Sequence, residues 1–209
     1  QQSFSELRQH LSPAWQLLTK WEILQPVQHR KPLHFVLFQA LVVMALLKNW
    51  RRWAGTLVLG FEGIARISEV LRATRADLVL PSDQFSSTFF AAFLRVLNPK
   101  TKRRGKGKVQ HLKLSNKPAV AFLERRFASL DPDLCLFPLS AAAFRSRWEH
   151  LLDELLVPKQ MRPTPASIRG GGAIMAYQRG ETISDIMWRM RVSSQPTLEH
   201  YLQIGRAHV

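Results

Sequence analysis

Apolar residues recur at helical spacing over residues 4 to 23, where Phe4, Leu7, Leu11, Trp15 and Leu18 share one face, and Pro26 and Pro32 then bracket a turn. Residues 33 to 49 are apolar nearly all round, the pattern of a largely buried helix. A further helix is predicted over Trp50 to Phe61, followed by Gly63 and a short helix from Arg66 to Ala73. From Asp77 the texture changes: Asp77 to Leu80, Ser87 to Leu97 and Val109 to Leu114 are predicted as strands, the last two joined by a loop from Asn98 to Lys108. Beyond Pro118 the pattern returns to helix, over 118–130, 141–156, 166–179, 182–189 and 195–203. No internal repeat or low-complexity tract interrupts it. The expectation is an α+β fold: a mostly helical domain, residues 33–209, with a small antiparallel three-stranded sheet, preceded by an N-terminal helix and linker over 1–32.

Charge narrows what such a domain handles. The 209 residues carry 30 Lys and Arg against 15 Asp and Glu, a formal net charge of +15, well beyond what solubility needs. The natural partner is a polyphosphate. Leu41 to Leu47 is far shorter than the roughly 20 apolar residues of a spanning helix, so no membrane partner is expected. The single Cys135 excludes an internal disulfide framework and fits a reducing compartment. No His, Cys, Asp or Glu cluster has metal-ligand spacing, so neither metal nor other cofactor is expected. The opening Gln1-Gln2-Ser3 reads as the start of an excised piece.

Four segments carry chemistry. Gly63 to Glu69 sets Arg66 at a loop-to-helix junction, where a guanidinium and backbone N–H groups can face a phosphate. From Gln84 to Leu123 there is no acidic residue, while Lys100, Lys102, Arg103, Arg104, Lys106 and Lys108 crowd one predicted hairpin loop. Those cations repel one another unless an anion or solvent screens them, so the loop is a candidate DNA contact. Thr164 to Ala173 puts Arg169 just inside a helix start beside three glycines, which are expected to let the backbone approach another chain closely. Val192 to Leu202 is a serine-capped turn and a helix carrying Tyr201. Each has a plainer reading on its own: a solvated surface arginine, a solvated basic turn or nuclear import signal, a Gly-rich turn, a packed tyrosine. Two arginines, a lysine and a phenol together form a set able to cleave a phosphodiester, the phenol attacking while the cations hold the charged oxygens.

The set resembles the catalytic domain of the tyrosine recombinases, the lambda-integrase type, over roughly residues 33 to 203. Gly63 to Glu69 is similar to that family's first arginine box, Lys100-Thr101 to its hairpin Lys-Thr step, with Lys102 the second choice, and Thr164 to Arg169 to its second arginine box. Position 192, nine residues before Tyr201, matches the place of a His or Trp. The resemblance implies that Tyr201 forms a 3′-phosphotyrosine with double-stranded DNA, that Arg66 and Arg169 hold the non-bridging oxygens, and that Lys100 protonates the leaving 5′-oxygen. It implies no metal or nucleotide cofactor. It also implies DNA recombination or integration of the kind mobile elements use, a homo-oligomer on DNA, and a nuclear location in a eukaryote or a cytoplasmic one otherwise. Two positions depart from the pattern, Ala166 where the box has His and Val192 where the family has His or Trp; both groups would assist proton transfer or bind the scissile phosphate. His111 and His200 are candidates to compensate. The enzyme assignment therefore stands open between a working recombinase, a DNA-binding protein that has lost turnover, and a type IB topoisomerase-like enzyme. An RNA-binding protein is the least favoured reading, as no aromatic RNA platform is visible.

Overall fold

The computed structural model describes residues 12–18, 20, 21, 24, 31–84, 90–97 and 109–202. The chain forms two compact units, residues 1–30 and 31–209. In the first, residues 12–18 are helical. The second is mostly helical with one small sheet. Its elements are α1 (Phe35–Leu47), α2 (Arg51–Glu62), α3 (Ile67–Val70), β1 (Leu78–Val79), β2 (Ala92–Val96), β3 (Gln110–Leu114), α4 (Lys117–Phe127), α5 (Ala141–Glu154), α6 (Ser167–Gln178), α7 (Ile183–Met190) and α8 (Gln195–Leu202).

Helix α2 is the axis of the unit. Every residue from Trp53 to Glu62 is buried, because α1, α4 and α6 pack around it. Trp53 stacks on Phe144 of α5 at 4.9 Å between ring centroids, and Phe61 stacks on Phe38 of α1 at 4.0 Å. Buried indoles still need hydrogen-bond acceptors. Trp53 Nε1 donates to the Phe144 carbonyl at 3.3 Å and Trp148 Nε1 to the Pro163 carbonyl at 2.8 Å. A second apolar cluster, with Ile64, Ala173, Ile186, Met190, Leu198 and Leu202, binds the C-terminal helices to one end of α2.

The sheet is antiparallel in the order β1-β2-β3, with Leu78 opposite Leu94 and Leu94 opposite Leu112. Of the predicted helix from Arg66 to Ala73, only Ile67–Val70 is helical. The chain then turns into a single 3₁₀ turn, Arg75–Asp77, in which the Asp77 carboxylate accepts from the backbone N–H and hydroxyl of Thr74. Arg75 explains the break: its buried guanidinium donates to the Phe127 and Leu78 carbonyls and pairs with Asp83, so this segment is committed to tertiary contacts rather than to a helix ladder. The first strand is two residues long, against four expected. Residues 85–89, the start of the strand expected from Ser87, lie outside the described residues.

Candidate active site

Arg66 is delivered by the turn that ends α2. Gly63 and Ala65 donate back to the carbonyls of Leu59 and Gly60 at 3.0 and 2.9 Å, and Ile64 takes a left-handed φ of 49°. Arg66 then caps α3 with extended backbone. Glu69, one turn on, closes the cap: its carboxylate accepts from the Arg66 backbone N–H at 3.1 Å and from Arg66 Nη1 at 3.1 Å. The Arg66 side chain remains 26% exposed, so the cap orients it without burying it.

Arg169 sits in the first turn of α6 and is only 3% exposed. Its Nη2 donates to the Met190 carbonyl, while its buried Nε and Nη1 have no hydrogen-bond partner among the described residues. Desolvation, reinforced by the charge of Arg66 and, less, of Arg191, lowers its pKa to about 10, against the opposing influence of Tyr201 and Glu69. It stays charged at neutral pH. A buried guanidinium with two donors that no described residue accepts from, and with like charges beside it, favours a bound anion.

Arg191 completes the group and was not singled out by sequence reasoning. It ends α7 in the left-handed conformation, φ 55°. Its Nη2 pairs with Glu69 at 2.5 Å and its Nη1 donates to Gln110 Oε1 of β3 at 2.9 Å, with only 9% of the side chain exposed. Burial pushes the Glu69 carboxyl up, but the hydrogen bond and charge of Arg191 and the charge of Arg66 together outweigh it and hold the group below its ordinary value. One buried carboxylate thus organises two arginines, and the third, Arg169, lies within their field. The only sequence signal for Arg191 was its place beside Val192; an arginine at a helix end is ordinarily solvated.

Tyr201, on α8, packs its ring 5.7 Å from the Arg169 guanidinium carbon. Arg66, Arg169 and Tyr201 are therefore brought together. Lys100 and the hairpin cations Lys102, Arg103, Arg104, Lys106 and Lys108 lie outside the described residues. The last described pair of the sheet is Val96 opposite Gln110, and Gln110 is the residue that holds Arg191.

The two departures have separate surroundings. Ala166 is exposed at the start of α6. Val192 packs against the second apolar cluster, where a methyl-bearing side chain fits and no hydrogen-bond donor is offered to a phosphate. His111 does not compensate: alternation along β3 turns Gln110 toward Arg191 and leaves His111 exposed on the opposite face, across from Arg95. The side chain of His200 lies outside those described. The three glycines of α6 also serve differently from expectation. A Cβ on Gly171 would stand 2.1 Å from the Leu33 carbonyl oxygen, and one on Gly172 2.1 Å from that of Phe61, so they admit this chain's own backbone. Among the described residues no group of His, Cys, Asp and Glu could hold a metal ion, and no helix is long and apolar enough to cross a membrane.

No protein-family model and no curated protein sequence matches the chain. Solved structures do. A XerA recombinase matches with a TM-score of 0.62 at 15% identity, over 85% of this chain and 60% of that one. A lambda integrase dimer bound to a COC′ core site matches at 0.62 and 14%, over 87% and 51%. The Tn1549 transposon integrase in complex with transposon right end DNA matches at 0.61 and 13%, over 85% and 62%. At such identities the likeness is one of fold, and this chain has the fold of a tyrosine recombinase catalytic domain. It spans between half and two thirds of the length of these chains.

Proposed function

We propose that the domain cleaves and rejoins DNA strands through a 3′-phosphotyrosine at Tyr201, as in site-specific recombination or integration. The observation that carries this reading is the buried Arg169, with two unpartnered donors, between the guanidiniums of Arg66 and Arg191 and the ring of Tyr201. A scissile phosphate held there meets cationic donors in a site already organised by Glu69, so little reorganisation is needed as charge grows on the non-bridging oxygens. The Tyr201 Oη attacks phosphorus and gives up its proton to solvent; the O–P bond to tyrosine forms as the bond to the 5′-oxygen breaks, and Lys100 supplies the proton that oxygen takes. Reversal by a 5′-hydroxyl rejoins a strand without external energy. Arg191 supplies charge beside the position where Val192 offers none.

The second reading is a DNA-binding protein that has lost turnover, favoured by the exposed Ala166 and the apolar packing of Val192. A type IB topoisomerase-like activity would use the same groups and would relax supercoils without sequence preference. The deciding test is a nicked suicide duplex incubated with the chain and with Tyr201→Phe. Turnover predicts a denaturant-resistant adduct that the Phe variant loses while binding duplex as well as before. Adduct from neither, with both bound, selects the binding protein.

A further inference from the structure

We propose a second phosphate site, at the far end of α2 from Arg66, that takes a compact polyphosphate anion. Helix α2 has 12 residues, so its two ends are about 17 Å apart at 1.5 Å per residue. Its N-terminus opens into a cavity of about 670 Å³ whose wall includes Trp50, Arg51, Arg52, Arg125, Arg126 and Arg147, with no carboxylate in the lining.

Only Arg52 is committed to the fold, donating to the carbonyls of Leu136 and Cys135. Arg51, Arg125, Arg126 and Arg147 form no ion pair among the described residues, and the buried Nε of Arg126 has no hydrogen-bond partner. Arg126 lies over the Phe122 ring at 5.1 Å and Arg147 over Trp50 at 4.7 Å, contacts that fix the planes of two guanidiniums while leaving their charge unneutralised. Trp50 caps α2 with no side-chain hydrogen bond, and the first turn contains no acid, so the positive end of the helix adds to the same field.

Convergent cations without counter-charge repel one another, and a multiply charged anion relieves that repulsion. Arginine forks match phosphate oxygens in pairs, and the concave shape suits several phosphates close together better than one carboxylate. The site is independent of the proposed strand cleavage, since none of its residues belongs to the Arg66–Arg169–Arg191 group.

The test is calorimetric titration with inorganic tripolyphosphate. The comparison is between the chain, Arg125→Ala/Arg147→Ala, and the control Arg145→Ala/Lys159→Ala, which removes two exposed cations outside the cavity. The expected result is one binding event weakened tenfold or more in the first variant and kept in the control. Arg51→Ala, at an exposed position, repeats the measurement should the double variant melt early. A parallel titration with a short duplex assigns the source of the phosphates: an equal loss there means nucleic acid, an unchanged duplex affinity means a free polyphosphate, and either supports the site. Equal tripolyphosphate affinity in variant and control, or no binding event at all, overturns it.

Discussion

Arg169 is held in a state that costs stability. Burial and two neighbouring guanidiniums oppose its charge. Arg169→Gln should therefore leave the melting temperature unchanged or raise it, while lowering affinity for duplex DNA tenfold or more; thermal melts and binding isotherms on the same samples check both halves. Glu69 has the opposite sign. Its folded pKa is depressed below 4.5, so the stability it contributes is complete above the unfolded value and is lost as pH falls through the depressed one. The melting temperature should fall steeply below about pH 4.5, and Glu69→Gln should flatten that fall while lowering stability at neutral pH, because Arg66 and Arg191 lose their shared counter-charge. Equal pH slopes in the two proteins would contradict this assignment. At this scale the sequence singled out Arg66, Arg169 and Tyr201, which the fold brings together. It did not disclose Arg191, whose partners Glu69 and Gln110 are 122 and 81 positions away and meet it only once the fold is closed.

Among the elements, helix α6 shows most clearly how packing overrides a local reading. Its glycine run was expected, within a helix over 166–179, to let another chain approach; Gly171 and Gly172 form the face by which α6 presses on the Leu33 and Phe61 carbonyls. Gly171→Ala and Gly172→Ala should each destabilise by about 3 kcal/mol or more, since backbone on a buried neighbour must move. Gly170→Ala, with its nearest atom 3.6 Å from the added carbon, should be neutral or gain up to about 1 kcal/mol of helix propensity. Denaturant melts of the three variants test the contrast. The helices α1, α2 and α4 to α8 were legible, α1 as a continuous apolar run and the others where the pattern returns to helical spacing. The stretch from Arg66 to Asp77 was not, because Arg75 and Asp77 spend their polar groups on distant carbonyls and capping rather than on a helix. The strand expected over Asp77 to Leu80 is present as β1, shortened to Leu78–Val79.

For the whole molecule, the α+β class and the three-stranded antiparallel sheet follow from the change of period at Asp77 and back at Pro118. The 30 Lys and Arg include groups with different fates. Arg75, Arg179 and Arg189 are spent on carbonyls and carboxylates inside the unit; Arg66 and Arg191 lie in the field of Arg169, which faces the Tyr201 ring; a third group lines the cavity at the far end of α2. Net charge alone could not make that division, since it depends on which arginines find acceptors in the folded chain. Tyr201, beside Arg169, is proposed to form a covalent bond to DNA. The most direct measurement is mass spectrometry of a tryptic digest after reaction with a suicide duplex. The expected result is a 3′-phosphonucleotide on the peptide from Val192 to Arg206, localised to Tyr201 and missing in Tyr201→Phe. A nucleotide adduct on Tyr177, or none under conditions where the duplex is bound, would contradict it.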